Sequence, residues 1–134
     1  MMQKLLAIVI VGIGVLVAPT SAPVSAHHSQ ARYTGAEGAI QIRGIVVTVE
    51  MTNPHSFLYI DEIDKDGKPV LKDGKKRTWA LEMQSVRGLA MNGWVDNTVK
   101  VGETIGAIGR PARNGAPAMY CEVVILPDGR QMRS

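Results

Sequence analysis

The three histidines of this 134-residue chain fall in two short phrases. His27 and His28 are adjacent in SAHHSQ, and His55 lies in TNPHSF. If the chain is cut before His27, that residue offers a metal its α-amine and its Nδ1 atom together. The imidazole of His55 would add a third nitrogen, and such a nitrogen-rich planar set suits Cu(II). The sequence therefore predicts a copper site built on His27 and His55, with His28 as a further donor.

The first 26 residues are typical of a secretory signal peptide. Lys4 supplies a positive charge, residues 5–17 are apolar or glycine, and residues 18–26 are rich in Pro, Ser and Ala. This order marks a segment that is removed on export. The apolar run is also shorter than the roughly 20 residues of a membrane span. We expect cleavage after Ala26, no membrane span in the mature chain, and a periplasmic or secreted protein; a retained N-terminal anchor is the alternative.

Glu82 is a further candidate metal ligand, because its predicted strand neighbours the one that follows His55. A carboxylate there can bind a metal or act as a base, but a charge on a strand is also typical of a solvated surface. The histidines have plain interpretations too. His27 and His28 are compatible with a solvated chain start, and His55 with a turn residue bonded to backbone. The sequence leaves these interpretations open beside the metal site.

Phe57 and Tyr59 define an alternative function. They are two residues apart on one predicted strand, so both project from the same face. Aromatic side chains on a rim can stack against a sugar or a base. The alternative is therefore a non-metal binding module for a glycan, peptide or protein partner, centred on His55, Phe57 and Tyr59. Trp79 is expected in the core instead, since it shares one side of its strand with Leu81.

Signals for catalysis are thin. The sequence contains no Gly-x-Ser-x-Gly elbow, no His-Glu-x-x-His pair and no phosphate loop. We therefore expect carriage, buffering or sensing of a metal rather than turnover. The net charge of +3 at pH 7 is mild, and export separates the protein from nucleic acid, so no nucleic-acid partner is expected. The single cysteine, Cys121, is expected to be a buried core thiol, and the protein a monomer.

Five strands and one short helix account for most of the mature chain. Period-two alternation and bounding turns predict strands at 39–50, 56–63, 78–83 and 119–126, and another within 99–112, after the Val-Gly turn at 101–102. Helical spacing predicts a helix at 85–92 that ends at Gly93. In the first strand the apolar parity changes at Gly44, which predicts a bulge or bend there.

Three strands, a helix and two strands are the order of an OB-type barrel. The sequence thus predicts an all-β fold with one short helix, a five-stranded OB-like barrel. It would form a single domain over residues 27–134, preceded by a flexible N-terminal arm at 27–38. Another small β-barrel or a sandwich is the alternative.

Several phrases resemble a family of small exported bacterial domains of unknown function. They are Ala-His-His-Ser (26–29), Gly-x-Val-x-x-Val-Glu (44–50), Thr-Asn-Pro-His (52–55), Trp-Ala-Leu-Glu (79–82), Gly-Trp (93–94), Val-Gly-Glu (101–103), Gly-Arg-Pro-Ala (109–112) and Leu-Pro-Asp-Gly-Arg (126–130). Together they span nearly the whole mature chain. Met51 departs from the pattern, which has Trp before Thr-Asn-Pro-His. The resemblance implies export and a small β-barrel, and it implies no established activity.

Overall fold

The structure is a computed structural model that describes residues 30–134. The predicted signal peptide, His27 and His28 therefore lie outside the described residues. Two short 3-10 turns open the described part, at Gln30–Arg32 and Ala36–Gly38. The remaining elements are β1 (Ile40–Glu50), β2 (Phe57–Glu62), β3 (Leu71–Lys72), β4 (Lys75–Lys76), β5 (Thr78–Glu82), α1 (Val86–Met91), β6 (Thr104–Pro111), β7 (Ala118–Ile125) and β8 (Gln131–Arg133).

The main sheet has six strands in the order β5-β2-β1-β6-β7-β8. Strands that are adjacent in this order are antiparallel. An additional parallel pairing of β5 with β7 closes β5, β2, β1, β6 and β7 into a ring. Closure leaves those five strands without a long open edge. The prediction of an all-β fold with one short helix is confirmed, and the helix lies between the third and fourth strands of the ring. The short strand β8, which the sequence did not predict, pairs with the part of β7 beyond β5.

Alternating apolar side chains build the core inside this ring. Leu58 and Ile60 point inward from β2, and Trp79 and Leu81 point inward from β5. The Trp79 indole is buried and donates a hydrogen bond to Glu62. The expected burial of Trp79 is confirmed. Cys121 is also fully buried, as expected, and burial raises the pKa of its thiol to about 11.

Strand β1 bends at a different residue from the one predicted. Ile42, Gly44 and Val46 are all buried on one face, so the parity continues through Gly44. The register with β2 shifts between Val46 and Thr48, which places the bulge at Val47. The prediction of a bulge at Gly44 is therefore wrong. Glycine is needed there for another reason, since a Cβ atom would lie 2.7 Å from the carbonyl oxygen of Asp61.

The helix α1 is short and capped at both ends. Ser85 is its N-cap and accepts a hydrogen bond from the amide of Gly88. Gly93 follows the helix with a φ of 88°, a left-handed conformation that glycine adopts without strain. The predicted helix and its glycine stop are thus confirmed. Within residues 30–134, no helix has the length and apolar character required to cross a membrane.

The segment before β1 packs on the sheet from Gln30 onward. The sequence predicts a flexible arm over residues 27–38, but Tyr33 is only 3% exposed and forms a β-bridge with Ala112. Thr34 adds a backbone hydrogen bond to Pro111. The described part of the predicted arm is therefore held in place. We refer to Gln30–Gly38 as the N-terminal segment.

Candidate functional site

Glu82 is the centre of a buried polar cluster at the end of β5. Its side chain is 1% exposed, and both carboxylate oxygens have neighbours. Oε2 accepts hydrogen bonds from Arg32 Nη2 at 2.6 Å and from the Tyr33 hydroxyl at 2.5 Å. Oε1 lies 3.5 Å from His55 Nδ1. The interpretation of Glu82 as a solvated surface charge is therefore wrong.

The N-terminal segment is what removes Glu82 from water. Glu82 lies on the outer side of β5, in register with Phe57 on β2 and with Tyr120 on β7. Tyr33 covers this row, with its ring 6.1 Å from that of Tyr120 and its hydroxyl on Glu82. A buried carboxylate is stable only when charged or polar donors compensate its lost hydration. Arg32 and Tyr33 provide that compensation.

Two members of the cluster, Tyr33 and Arg32, have shifted pKa values. Burial, reinforced by the hydrogen bond to Glu82, raises the pKa of Tyr33 to about 12. The same carboxylate raises the pKa of Arg32 above its ordinary value, through a hydrogen bond. Tyr33 therefore remains a neutral hydroxyl donor, and Arg32 remains a cation. Arg32 is 59% exposed, so solvent screens much of its attraction to Glu82.

His55 is held in the loop between β1 and β2, next to Glu82. The hydroxyl of Thr52 donates to the carbonyl of His55, and backbone hydrogen bonds join Ser56 to the strand end at Met83 and Gln84. His55 Nδ1 lies 3.2 Å from the carbonyl oxygen of Met83. Because a carbonyl oxygen only accepts, this contact requires a proton on Nδ1. The neutral ring then has its lone pair on Nε2, and its side chain is 33% exposed.

The structure brings two of the predicted metal-site residues together, and the other two lie outside the described residues. His55 and Glu82 are neighbours. His27 and His28 are not among the described residues. Within residues 30–134, no group of three or more His, Cys, Asp or Glu side chains is placed to hold a metal ion.

Arg32 and Tyr33 are site residues that the sequence analysis missed. They precede Glu82 by 50 and 49 positions, and no local pattern connects residues so far apart. The one available signal is Tyr33 itself, an aromatic residue inside an otherwise polar stretch. Such a residue is typical of a segment that docks on a core rather than of a free arm.

Phe57 and Tyr59 lie side by side on the outer face of β2. Both are partly buried, and their rings are stacked with centroids 6.2 Å apart and an angle of 23° between planes. Phe57 also lines a groove of about 380 Å³ beside the N-terminal segment. The predicted common face of the two aromatic residues is confirmed. We refer to this space as the alanine groove, since four alanines line it: Ala80, Ala112, Ala116 and Ala118.

A larger apolar hollow lies between α1 and the segment that leads to β6. It measures about 670 Å³ and includes Met51, Val86 and Val95, which are exposed apolar side chains. His55, Glu82, Phe57 and Tyr59 do not line it. The predicted site and this hollow are thus separate features.

The comparison with known protein families gives a match over most of the chain. A family of unknown function, DUF6152, matches residues 15–119. No curated protein matches the chain. The match includes both histidine phrases, the N-terminal segment and the strand that carries Glu82. The chain therefore belongs to this family of unknown function, DUF6152.

Proposed function

We propose that this protein is an exported metal-binding protein that carries, buffers or senses copper in the periplasm or outside the cell. The site would consist of the α-amine and ring of His27, the Nε2 atom of His55, and His28 as a further donor. The observation that supports it best is the hydrogen bonding of His55. Its Nδ1 atom is directed at the Met83 carbonyl and at Glu82, which leaves Nε2 as the metal-binding atom.

Metal-binding histidines in proteins are usually oriented in this way. The ring nitrogen that does not bind the metal donates to a carbonyl or a carboxylate, which fixes the tautomer and makes the other nitrogen a better ligand. In His55 both kinds of partner are present, at 3.2 Å and 3.5 Å from Nδ1. Among the two neutral tautomers, the one that presents the Nε2 lone pair to a metal is thereby favoured.

The anchoring of the N-terminal segment supports the participation of His27 and His28. A flexible arm ending at Gly38 would allow His27 to range over roughly 40 Å, at about 3.3 Å per residue. Arg32 is bonded to Glu82, however, and Glu82 faces His55. Counted from Arg32, chain length limits His27 to a radius of roughly 17 Å. The anchor therefore raises the local concentration of the terminal amine around His55.

Glu82 acts in this proposal as a positioning residue rather than as a ligand. Its Oε2 atom already accepts from Arg32 and Tyr33, and its Oε1 atom faces the ring of His55. It thus holds both parts of the site: the segment that carries the terminal histidines and the tautomer of His55. This replaces the expectation from the sequence that Glu82 binds the metal.

Calorimetry on two forms of the protein tests the proposal. One form begins at His27, released from a cleavable fusion, and the other begins at Val24, so that three residues precede His27. We expect tight Cu(II) binding by the first form and much weaker binding by the second, because the three extra residues move the free amine away from the His27 ring. The affinity of the first form should also fall in acid, since the amine, with an ordinary pKa of about 7.7–8.0, must lose its proton.

The third nitrogen is tested by His55→Ala in the form that begins at His27. We expect a clear loss of affinity, and a smaller loss in the matched control His28→Ala. Weak and equal binding by the forms that begin at His27 and at Val24 would contradict the proposal. Equal affinities of the His55→Ala and unsubstituted proteins would remove His55 from the site.

A further inference from the structure

The alanine groove lies on the outer face of the ring, where β5 meets β7. Small side chains form its floor, where Ala80 and Ala118 are register partners in the parallel pairing of these strands. Ala112 and Ala116 extend this small-residue surface into the loop between β6 and β7. The volume of about 380 Å³ is at the lower end of the range for small-molecule sites. The groove therefore has room for a small ring-shaped ligand.

The walls of the groove differ in chemistry. On one side stands the Phe57 ring, stacked against Tyr59. On the other side stand Arg113 and Asn114, in the exposed loop between β6 and β7. An aromatic wall packs against the C–H face of a ring, and a guanidinium and an amide bind oxygen atoms at its edge.

The charge of the groove is positive. Arg32 and Arg113 line it, and none of its described lining residues is acidic. Arg32 is neutralised by Glu82. The side chain of Arg113 donates a hydrogen bond from Nε to the carbonyl of Ala31. Its two terminal nitrogens thus present a fork that matches the geometry of a carboxylate.

We propose that the alanine groove binds an anionic sugar, a uronic acid unit of an acidic glycan. The sugar ring would lie on Ala80 and Ala118 against Phe57, with its carboxylate on Arg113. The side-chain oxygen of Asn114 accepts from the amide of Ala116, which leaves its NH₂ group to donate to a sugar hydroxyl. The ring, the carboxylate and one hydroxyl of the sugar would thus each have a partner in the groove.

The position of the groove in the fold agrees with this ligand. In OB-type folds, the face of the second and third strands and the loops between strands one and two and strands four and five bind oligosaccharides or oligonucleotides. The groove occupies the corresponding place, with Phe57 on β2, Ala80 on β5 and Arg113 between β6 and β7. This is an analogy at the level of the fold. A nucleic-acid strand is disfavoured, because a row of cations would be needed along its backbone.

The inference develops the binding-module alternative and does not rest on copper. None of the described residues of the groove is a proposed copper ligand. Binding can therefore be measured on metal-free protein in the presence of a chelator, and failure of the copper site would leave the result intact.

Amide chemical shifts of the labelled protein provide the test, with trigalacturonic acid as the anionic probe and maltotriose as the neutral one. We expect trigalacturonic acid to shift the amides of Phe57, Ala80 and Ala118, and maltotriose to leave them unchanged. Arg113→Gln should weaken binding at least about tenfold, since charge-assisted hydrogen bonds are roughly twice as strong as neutral ones. Arg87→Gln, at an exposed position on α1 outside the groove, is the matched control and should bind as the unsubstituted protein does.

A second variant blocks the space rather than the charge. Ala116 is exposed, so Ala116→Leu should fold normally while its side chain occupies the groove. We expect it to abolish the shifts. The proposal is overturned if trigalacturonic acid causes no shifts in the groove, if maltotriose causes the same shifts, or if Arg113→Gln and Arg87→Gln bind alike. Equal or tighter binding of benzoate would overturn the assignment of a sugar.

Discussion

Replacement of Glu82 by glutamine removes one charge from the buried cluster and leaves its shape unchanged. Oε2 receives two donors, the guanidinium of Arg32 and the hydroxyl of Tyr33. A hydrogen bond to a charged group contributes about 1.5–3 kcal/mol, and a neutral acceptor keeps part of that. Arg32 is 59% exposed and regains water when its partner is lost. We therefore expect Glu82→Gln to lower the free energy of unfolding by about 1–3 kcal/mol.

The same substitution should weaken copper binding. The oxygen of the new amide would be required by Tyr33 and Arg32, which turns its NH₂ group toward His55 Nδ1. Two donors then face each other, and only the Met83 carbonyl still favours the tautomer that exposes Nε2. Loss of such an outer partner of a metal ligand typically costs 10–100-fold in metal affinity, and we expect a loss of about that size.

Urea unfolding and Cu(II) calorimetry on one set of samples measure both effects. Glu37→Gln is the matched control, because it makes the same chemical change at an exposed carboxylate of the N-terminal segment. The reasoning is refuted if Glu82→Gln and Glu37→Gln have the same unfolding midpoint and the same copper affinity. Loss of an oxygen ligand from the copper EPR spectrum of Glu82→Gln would instead make Glu82 a ligand and contradict its positioning role.

Three further predictions concern the fold. The Tyr33 hydroxyl should ionise with a pKa of about 12 rather than 10.0, so the stability it contributes is present below pH 10 and is lost as the pH rises toward about 12. Absorbance titration of the native and Tyr33→Phe proteins measures this pKa. Ionisation of all tyrosines near pH 10 would contradict the prediction. Cys121, with its pKa raised from 9.0 to about 11, should react with a disulfide reagent far more slowly in native than in unfolded protein, and equal rates would exclude its burial. Gly109→Ala should lower the free energy of unfolding in urea by about 1–3 kcal/mol, because a Cβ atom there overlaps the carbonyl oxygen of Tyr120. In the control Gly35→Ala, the Cβ atom meets the flexible end of the Glu37 side chain, which can move away. Equal unfolding midpoints of the two variants would refute the steric argument.

The fold class follows from patterns that act locally. Alternation of apolar residues in β2 and β5 identifies which side chains face the core, and burial of Leu58, Ile60 and Leu81 follows it. Glycine and asparagine signals mark the turns, as at Gly93 after α1. These features depend on neighbours in sequence, which is why they are readable without coordinates.

The details of pairing depend on contacts between distant residues. In β1 the sequence predicts a bulge at Gly44, yet the strand approaches β2 so closely there that glycine is required for space. The bulge lies at Val47, whose side chain is exposed although it is apolar. The strand β8 forms because the end of β7 beyond β5 remains to be paired. No local pattern encodes either feature.

The sequence predicted only part of the candidate site, because contacts between distant residues complete it. Its position near His55 followed from the order of strands. The burial of Glu82 did not, because the N-terminal segment that covers it is 49 and 50 positions away at Tyr33 and Arg32. A polar stretch before the first strand predicts a free arm. Only the tertiary contacts show that Tyr33 docks it.

The ligand set of the bound metal can be counted by EPR of the Cu(II)-loaded protein that begins at His27, prepared with natural and with ¹⁵N-labelled histidine. The proposed site predicts three or more nitrogen ligands, with couplings from both histidine phrases, and loss of one imidazole coupling in His55→Ala. A spectrum that His55→Ala leaves unchanged, or that the three extra residues of the form beginning at Val24 leave unchanged, would contradict a copper site formed by the terminal amine and His55.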